Sequence, residues 1–331
     1  MSTAIDGVTV AEDFVPVIDL SGTDTPEGKA LAAKAIGSAC ETSGFFTVVG
    51  HGVDEELVDR MYESCRAFFA LPDERKAAHG VGPGTNGFYA EAGCGSKSSG
   101  IESLPDLQEV FAASVRDNSA PPAGADALTL PWEAVNQWPA EPADFRAVWL
   151  EYSAAMERLS QDLLHLFALA LGLDEHFFDD KTDQASSTIS ANYYYPLTEP
   201  PMAGQLRKGP HADWGNLTIL HQDGAGGLQV EQQGHGWRDV PYTRGSFVIN
   251  IGDMMEFWTG GRWVSTMHRV RNPLPGQEGE ARISIPYFHI PNPDATIEPI
   301  LPFSNAHTSQ RIKTASTPAE WFGARLAEVF S

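Results

Sequence analysis

The sequence predicts an α+β fold with a mainly β core and a helical N-terminal part. In the first half of the chain, apolar residues recur every three or four positions, as they do in helices that bury one face. In the second half, short β-type runs are separated by Gly and Pro turns, which is typical of an antiparallel sandwich or barrel. With 331 residues and a hydrophobic fraction of 42%, the chain can bury a sizeable core.

The N-terminal elements follow from their local patterns. A short strand is predicted over 14–20, followed by a helix over 26–42 that stops before Gly44. A compact strand over 45–49 comes next. Asp54 has the position of a helix N-cap, and the helix that it begins extends to about Leu71.

The middle and C-terminal elements alternate between loop, helix and strands. Residues 80–100 are rich in Gly and Ser and predict a long loop of the kind that often serves as a lid or binding loop. Strong apolar periodicity predicts a helix over 143–171, ending at Gly172. Six strands are then predicted, over 188–195, 216–221, 228–232, 246–251, 264–270 and 282–289.

Charge and cysteine content restrict the partners and the compartment. The 44 acidic and 22 basic residues give a formal net charge of -22, so we expect neither nucleic acid nor a membrane as partner. A cationic substrate is one option that this charge leaves open. Cys40, Cys65 and Cys94 form an odd set without CxxC spacing, and no leader-like segment is evident, which favours the cytoplasm.

A candidate metal site is formed by three residues of the β-rich half. His211 and Asp213 are two positions apart, and a strand would place both side chains on the same face. His268, 55 positions beyond Asp213 in the predicted strand 264–270, is the best candidate for a third ligand. Two imidazoles and one carboxylate on one face of a metal leave positions open, an arrangement associated with iron(II) oxygenases.

A second pair has the chemistry of a carboxylate binder. Arg282 and Ser284 begin the last predicted strand, 14 positions after His268, and are again two residues apart. A guanidinium binds a carboxylate through two parallel hydrogen bonds, and a hydroxyl two positions on can donate to the same group. The pair is therefore suited to hold the far end of a dicarboxylic acid.

Beyond these residues, nearly the whole chain resembles the 2-oxoglutarate/Fe(II)-dependent dioxygenase superfamily, in its isopenicillin N synthase-like branch. In the C-terminal half the matching phrases are NYYYP at 192–196, HADWGNLTIL at 211–220, GGLQV at 226–230, FVINIGDMMEFWTGG at 247–261, STMHRV at 265–270 and RISIPYFHIPN at 282–292. In the N-terminal half they are VPVIDL at 15–20, GFFTVVGHGV at 44–53 and FFALPDERK at 68–76.

The resemblance implies a double-stranded β-helix, or jelly roll, behind a helical N-terminal part. We expect one catalytic unit over 1–331, with an N-terminal region over 10–120 and an iron- and 2-oxoglutarate-binding core over 186–292. Similar enzymes hold iron with the equivalents of His211, Asp213 and His268, and the distal carboxylate of 2-oxoglutarate with those of Arg282 and Ser284.

The strand before the first iron ligand also approaches the co-substrate in similar enzymes, through an Asn and a Tyr. An extra tyrosine before Pro196 makes the assignment of this pair ambiguous. Asn192 with Tyr194, or Tyr193 with Tyr195, could point inward, and Asn192 with Tyr194 is the preferred pair.

The implied activity uses Fe(II), 2-oxoglutarate and O2 to oxidise a small molecule and releases succinate and CO2. Hydroxylation is the default outcome, with desaturation or cyclisation as variants, and a role in secondary metabolism is expected of a monomer or homodimer. Alternatives are an iron-dependent oxidase that needs no 2-oxoglutarate, as isopenicillin N synthase is, an ethylene-forming type of enzyme, or a silent binding protein.

Four further residues near the motifs carry expectations. Trp214, next to Asp213, is expected to face the substrate pocket. Glu109 and Phe111 follow the Gly-Ser loop, where similar enzymes build part of that pocket, so they are candidates for substrate contact. Asp253 is expected to begin a turn rather than to bind metal.

Overall fold

The computed structural model describes residues 2–5, 8–11, 14–90, 95–300, 312, 314 and 316–329. The third cysteine, Cys94, lies outside these residues. The helices are α1 (Pro26–Thr42), α2 (Glu55–Phe69), α3 (Asp73–Ala77), α4 (Phe145–Ala170), α5 (Asp179–Thr182), α6 (Asp253–Trp258) and α7 (Pro318–Val329), with a 3-10 helix over Gly95–Ser99.

Sixteen strands are found in the described residues. They are β1 (Ser2–Ile5), β2 (Val8–Ala11), β3 (Val17–Asp19), β4 (Phe45–Val49), β5 (Thr85–Asn86), β6 (Phe88–Tyr89), β7 (Glu109–Ser114), β8 (Val135–Asn136), β9 (Thr188–Tyr194), β10 (Lys208–His211), β11 (Leu217–Gln222), β12 (Leu228–Gln232), β13 (Gly236–Asp239), β14 (Phe247–Ile251), β15 (His268–Val270) and β16 (Arg282–His289).

The N-terminal helices begin where their capping residues predict. The Thr25 side chain accepts a hydrogen bond from the Gly28 N–H at the start of α1, and Asp54 accepts one from the Glu56 N–H at the start of α2. Each bond satisfies a backbone donor that has no partner inside the helix. The helices predicted over 26–42, 54–71 and 143–171 are therefore confirmed as α1, α2 and α4.

Two sheets form the β core. A ten-stranded major sheet has the order β1-β2-β3-β4-β14-β11-β16-β9-β7-β6, and a four-stranded minor sheet has the order β10-β15-β12-β13. Strands β11, β14 and β16 pair antiparallel, as do β10, β12 and β15 in the minor sheet. The antiparallel sandwich expected from the short, regularly spaced strands is confirmed.

Alternating side chains give the major sheet two different faces. On β16, Ile283, Ile285 and Tyr287 belong to the large apolar core that also contains the buried faces of α2 and α4. Between them, Arg282, Ser284, Pro286 and Phe288 line a cavity on the opposite face, together with residues of the minor sheet. Because successive strand residues point to opposite faces, the helices cover one side and leave the other for the site.

Three expectations about individual elements are wrong. The strand predicted over 264–270 contains only His268–Val270, because the Val264 N–H bonds to the Cys40 carbonyl of α1 instead of to a strand. The loop 80–100 includes β5, β6 and the 3-10 helix. Asp253 begins a helix, α6, rather than a simple turn.

Among the helices of the described residues, none has both the length and the apolar composition that crossing a bilayer requires.

Candidate functional site

His211 and His268 face each other in the minor sheet. His211 is the last residue of β10, His268 is the first of β15, and they are register partners with ring centroids 4.2 Å apart. Asp213 follows β10, and the potential ligand atoms of all three residues lie within 4.8 Å of one another. Each residue is at most 9% exposed, so the three form a compact, buried group between the sheets.

The backbone segment that positions Asp213 is a bend and not the strand that was expected. A strand was expected to carry both His211 and Asp213, but β10 ends at His211. The chain then bends, and the Asp213 carbonyl accepts from the Asp253 N–H at 2.8 Å. Gly215, two residues further on, allows the chain to pass close to β16, because a Cβ there would lie 2.7 Å from the His289 carbonyl oxygen.

Backbone carbonyls fix the orientation of both imidazoles. Nδ1 of His211 lies 2.9 Å from the Gly209 carbonyl oxygen, and Nδ1 of His268 lies 3.2 Å from that of Thr266. A carbonyl only accepts, so each Nδ1 carries the proton and each Nε2 presents its lone pair as a potential ligand atom. Burial, and then the charges of His268 and Lys208, lower the pKa of His211 well below its usual value. The ring is therefore neutral, as a metal ligand must be.

Two neighbours hold the Asp213 carboxylate. Its Oδ2 accepts hydrogen bonds from Thr218 Oγ1 at 2.6 Å and from Asn250 Nδ2 at 2.7 Å. Its Oδ1 lies 3.8 Å from His268 Nε2. Burial raises the pKa of Asp213, but the neighbouring His268 and His211 rings and the two hydrogen bonds lower it, and the net shift is downward. An ionised oxygen is thus left for a cation.

The sequence motifs did not identify Thr218 and Asn250 as functional residues. Each is a polar residue within an otherwise apolar strand, Thr218 in LTIL at 217–220 and Asn250 in FVINI at 247–251. A polar residue on a buried strand face needs a hydrogen-bond partner, and this rule could have singled both out.

Arg282 is buried in the cavity between the sheets with unused hydrogen-bond donors. It is 1% exposed, and its Nη2 lies 3.5 Å from Gln222 Oε1. Its Nε and Nη1 have no hydrogen-bond partner among the described residues. A buried guanidinium in this state is costly unless an anion binds it, and a carboxylate matches its two donors. The site therefore fits the distal carboxylate of 2-oxoglutarate.

The register of β9 and β16 distinguishes between the two candidate pairs for the co-substrate, Asn192 with Tyr194 and Tyr193 with Tyr195. Tyr194 lies opposite Arg282 and Asn192 opposite Ser284, and these four residues line the same cavity. Tyr193 points to the other face, where its ring stacks on Phe69 at a centroid distance of 5.0 Å. The structure therefore brings the preferred Asn192 and Tyr194 to the cavity.

A second cavity of about 250 Å³ adjoins the metal-binding group and shares His211 and Asp213 with the first. Its other walls include Trp214, Phe288 and Phe322, the last from α7. Trp214 thus faces the pocket, as expected. The cavity is suited to hold a largely apolar molecule beside the metal.

Glu109 and Phe111 are not part of this cavity, which corrects the expectation of substrate contact. The Glu109 carboxylate accepts two hydrogen bonds from Lys76 Nζ, at 2.8 and 2.7 Å. Phe111 is fully buried among Phe68, Phe145 and Trp149 in the core against the helices. Both residues lie on β7, and their side chains stabilise the N-terminal part instead.

The end of the Gly-Ser segment lies against the metal-binding strand. Ser99 Oγ accepts from the Ala212 N–H at 2.9 Å, and Asp106 Oδ1 accepts from the Gly209 N–H at 2.8 Å. These bonds satisfy backbone donors of the segment that carries His211. The segment thus supports the position of the ligands.

The fold and the site together define a class of protein. Two imidazoles and a carboxylate converge within a two-sheet core and leave one side open, beside a buried arginine. This is the arrangement of non-haem iron(II) oxygenases.

Comparison with known proteins narrows the class. Residues 15–141 match the model described as the N-terminal part of non-haem dioxygenases in morphine synthesis, and residues 185–291 match the 2OG-Fe(II) oxygenase superfamily. Validamycin A dioxygenase of Streptomyces hygroscopicus subsp. limoneus is 36% identical over 293 residues, which is 86% of this chain and 79% of that protein. Naringenin,2-oxoglutarate 3-dioxygenase of Arabidopsis thaliana is 33% identical over 88% of this chain and 76% of its own length.

A solved structure extends the likeness to the fold. A full-length Neurospora crassa protein, solved in complex with alpha-KG, has a TM-score of 0.79 and 26% identity, and the match covers 98% of each chain. The chain belongs to the 2-oxoglutarate/Fe(II)-dependent oxygenase superfamily and has its jelly-roll core. It is a non-haem iron dioxygenase that uses Fe(II), 2-oxoglutarate and O2 on a small-molecule substrate.

Proposed function

We propose that His211, Asp213 and His268 hold the iron and that this enzyme hydroxylates a small molecule bound in the second cavity. The Nε2 atoms of the two imidazoles and Oδ1 of Asp213 would supply the ligands. The iron, when bound, supplies the activation of O2 that is coupled to decarboxylation of 2-oxoglutarate.

The observation that carries the co-substrate assignment is the state of Arg282. Its guanidinium is buried beside the metal-binding group with two donors unused among the described residues. Arg282 and Ser284 would bind the distal carboxylate of 2-oxoglutarate, while Asn192 and Tyr194 line the remainder of that subsite. In an iron-dependent oxidase that needs no 2-oxoglutarate, the same donors would bind another carboxylate. No structural feature of the described residues favours that alternative.

The protein's own residues position the reactants. Thr218 and Asn250 hold the Asp213 carboxylate, so that its free oxygen is directed toward the imidazoles. Burial of the ligands limits access of bulk water. Hydroxylation requires only that a C–H bond of the substrate lie close to the metal, and desaturation or cyclisation would follow from a different placement in the same cavity.

The decisive experiment is a titration of the Fe(II) protein with 2-oxoglutarate without O2, followed through the visible charge-transfer band of the chelate. The wild type should develop the band. Arg282→Gln should raise the dissociation constant about ten- to a hundred-fold, Arg282→Lys less, and Ser284→Ala least, since it removes one neutral donor. Glu278→Gln, at an exposed loop carboxylate, is the control. An unchanged constant for Arg282→Gln would contradict the proposed anchor.

We also infer the setting in which the enzyme works. Cys40 and Cys65 are buried free thiols, which supports a reducing, cytoplasmic location. The net charge of -22 opposes binding to nucleic acid or to an anionic membrane. A monomer or homodimer acting in secondary metabolism is the setting we propose, to be checked by light scattering and by a turnover screen that follows succinate release.

A further inference from the structure

Lys208 is placed beside the metal-binding group by an irregularity in β10. Lys208 pairs with Val270 and His211 pairs with His268, so an interval of three residues in β10 lies opposite an interval of two residues in β15. Val270 and His268 are two apart and share a face, and the β-bulge therefore brings Lys208 and His211 to that face as well. In a regular strand, residues three apart would point in opposite directions.

The surroundings of Lys208 place a positive charge between the two cavities. Lys208 lines both the cavity that contains Arg282 and the one that contains Trp214. Of the described residues that line the second cavity, Lys208 alone has a cationic side chain, because the His211 ring is neutral. The rest of that wall is largely apolar, with Trp214, Phe288 and Phe322.

Among the described residues, the ammonium of Lys208 also has no ion-pair partner. Within the described ranges, no carboxylate lies within ion-pair distance of Lys208 Nζ, and no hydrogen bond satisfies its three donors. A cation next to a metal site is electrostatically unfavourable unless an anion is bound nearby. Arg282 already provides for the distal carboxylate of 2-oxoglutarate, so Lys208, which is partly exposed, remains available to bind a second anion.

We propose that Lys208 binds a carboxylate of the substrate and thereby determines the substrate class, a small organic acid with an apolar body. The apolar body would pack against Trp214 and Phe322, whose rings contact each other edge to face at a centroid distance of 5.4 Å, with the carboxylate on Lys208. This inference rests on the proposed function, since it assigns the second cavity to the substrate. It also replaces the cationic substrate that the overall negative charge left open, because the cavity wall carries a cation.

The test compares a matched acid and amide on the Fe(II) and 2-oxoglutarate-loaded protein without O2. Phenylpropanoate and phenylpropanamide are titrated, and their dissociation constants are measured from the change in the charge-transfer band. The wild type should bind the acid at least about ten-fold more tightly than the amide, as expected for a charge-assisted bond. Lys208→Gln should remove the preference, and Lys208→Arg should retain most of it. Lys34→Gln, at an exposed lysine of α1, is the control and should retain it fully.

Equal binding of acid and amide to the wild type, no binding of the acid into the millimolar range, or an unchanged preference in Lys208→Gln would each overturn the inference. A Lys208→Gln variant that weakens 2-oxoglutarate but not the acid would overturn it too, since Lys208 would then serve the co-substrate. Failure of the wild type to form the band is instead a failure of the proposed function. In that case, ligand-detected NMR of the same acid and amide with metal-free protein tests whether Lys208 binds the carboxylate.

Discussion

The guanidinium carbon of Arg282 lies 4.9 Å from the centre of the Tyr194 ring, and the two residues are direct partners across the β9 and β16 pair. The ring face is electron-rich and stabilises a cation that has been removed from water. Tyr194 therefore helps to hold the Arg282 guanidinium in place inside the β core, before any co-substrate is bound.

This contact predicts different results for two substitutions of Tyr194. Tyr194→Phe keeps the ring and should leave the 2-oxoglutarate dissociation constant within about two-fold of the wild type. Tyr194→Leu removes the cation–π interaction, of about 2 kcal/mol in a desolvated site, and should weaken binding by about thirty-fold. Anaerobic titration of the charge-transfer band measures both. Equal effects of the two variants would show that the hydroxyl, not the ring, is what matters.

Removal of any proposed iron ligand should abolish metal retention. His211→Ala, Asp213→Ala and His268→Ala each leave two protein ligands, which rarely hold a labile divalent ion. Asp213→Glu should be nearly as damaging, because one added methylene moves the oxygen beyond the roughly 0.5 Å that such a site tolerates. Elemental analysis of the purified variants is the measurement, with His235→Ala, at an exposed histidine, as the control. Stoichiometric iron in the three alanine variants would eliminate this triad.

Thr218 and Asn250 should affect iron affinity although neither is proposed to touch the metal. Both donate to Oδ2 of Asp213, at 2.6 and 2.7 Å. Thr218→Val and Asn250→Leu should each raise the Fe(II) dissociation constant about ten- to a hundred-fold, as is usual for partners of metal ligands. Competition with a metallochromic chelator without O2 measures the constant. Wild-type affinity in both variants would mean that Asp213 is oriented by the backbone alone.

The partly buried, neutral His221 predicts a loss of stability in acid. Burial lowers the pKa of His221 to about 4, while the unfolded chain keeps a value of about 6.5. Between these values the unfolded state binds one more proton, so the free energy of unfolding falls as the pH falls, by about 1.4 kcal/mol per unit. His221→Phe, which keeps a ring between Tyr62 and Phe247, should flatten this slope.

Urea unfolding at several pH values from neutral to 4 measures the slope. His235→Phe, at an exposed position, is the matched control and should retain the wild-type slope. If His221→Phe has the same pH dependence as the wild type, other groups account for the acid sensitivity.

Most of the core elements could be predicted because their sequences alternate or repeat regularly. Strands β9, β11, β12, β14 and β16 lie where alternation and turn residues place them. β10 could not be predicted, since Gly209 and Pro210 are unfavourable in strands. Its bulge and the bend at Asp213 depend on pairing with β15, and this long-range pairing cannot be predicted from the local sequence.

The site was predictable as a set of residues but not as a geometry. His211, Asp213, His268 and Arg282 have side chains whose chemistry is visible in the sequence. The supporting contacts are long-range, such as that of Asn250 with Asp213, and they exist only after the sheets have formed. The α6 helix was not predicted because all six of its residues are buried, so it lacks an amphipathic pattern.

The proposed iron ligands are attached to both sheets, so a bound metal ion would cross-link the minor sheet to the major sheet. His211 and His268 belong to the minor sheet, whereas Asp213 is held by Thr218 of β11 and Asn250 of β14 in the major sheet. A cation bound to all three joins the two sheets at their centre. Because it binds the folded chain only, its affinity adds to the free energy of unfolding, by about 2.7 kcal/mol at a hundred times the dissociation constant. Removal of the metal by a chelator would therefore lower the free energy of unfolding of the whole sandwich. The melting temperature would then report whether metal is bound, without any substrate.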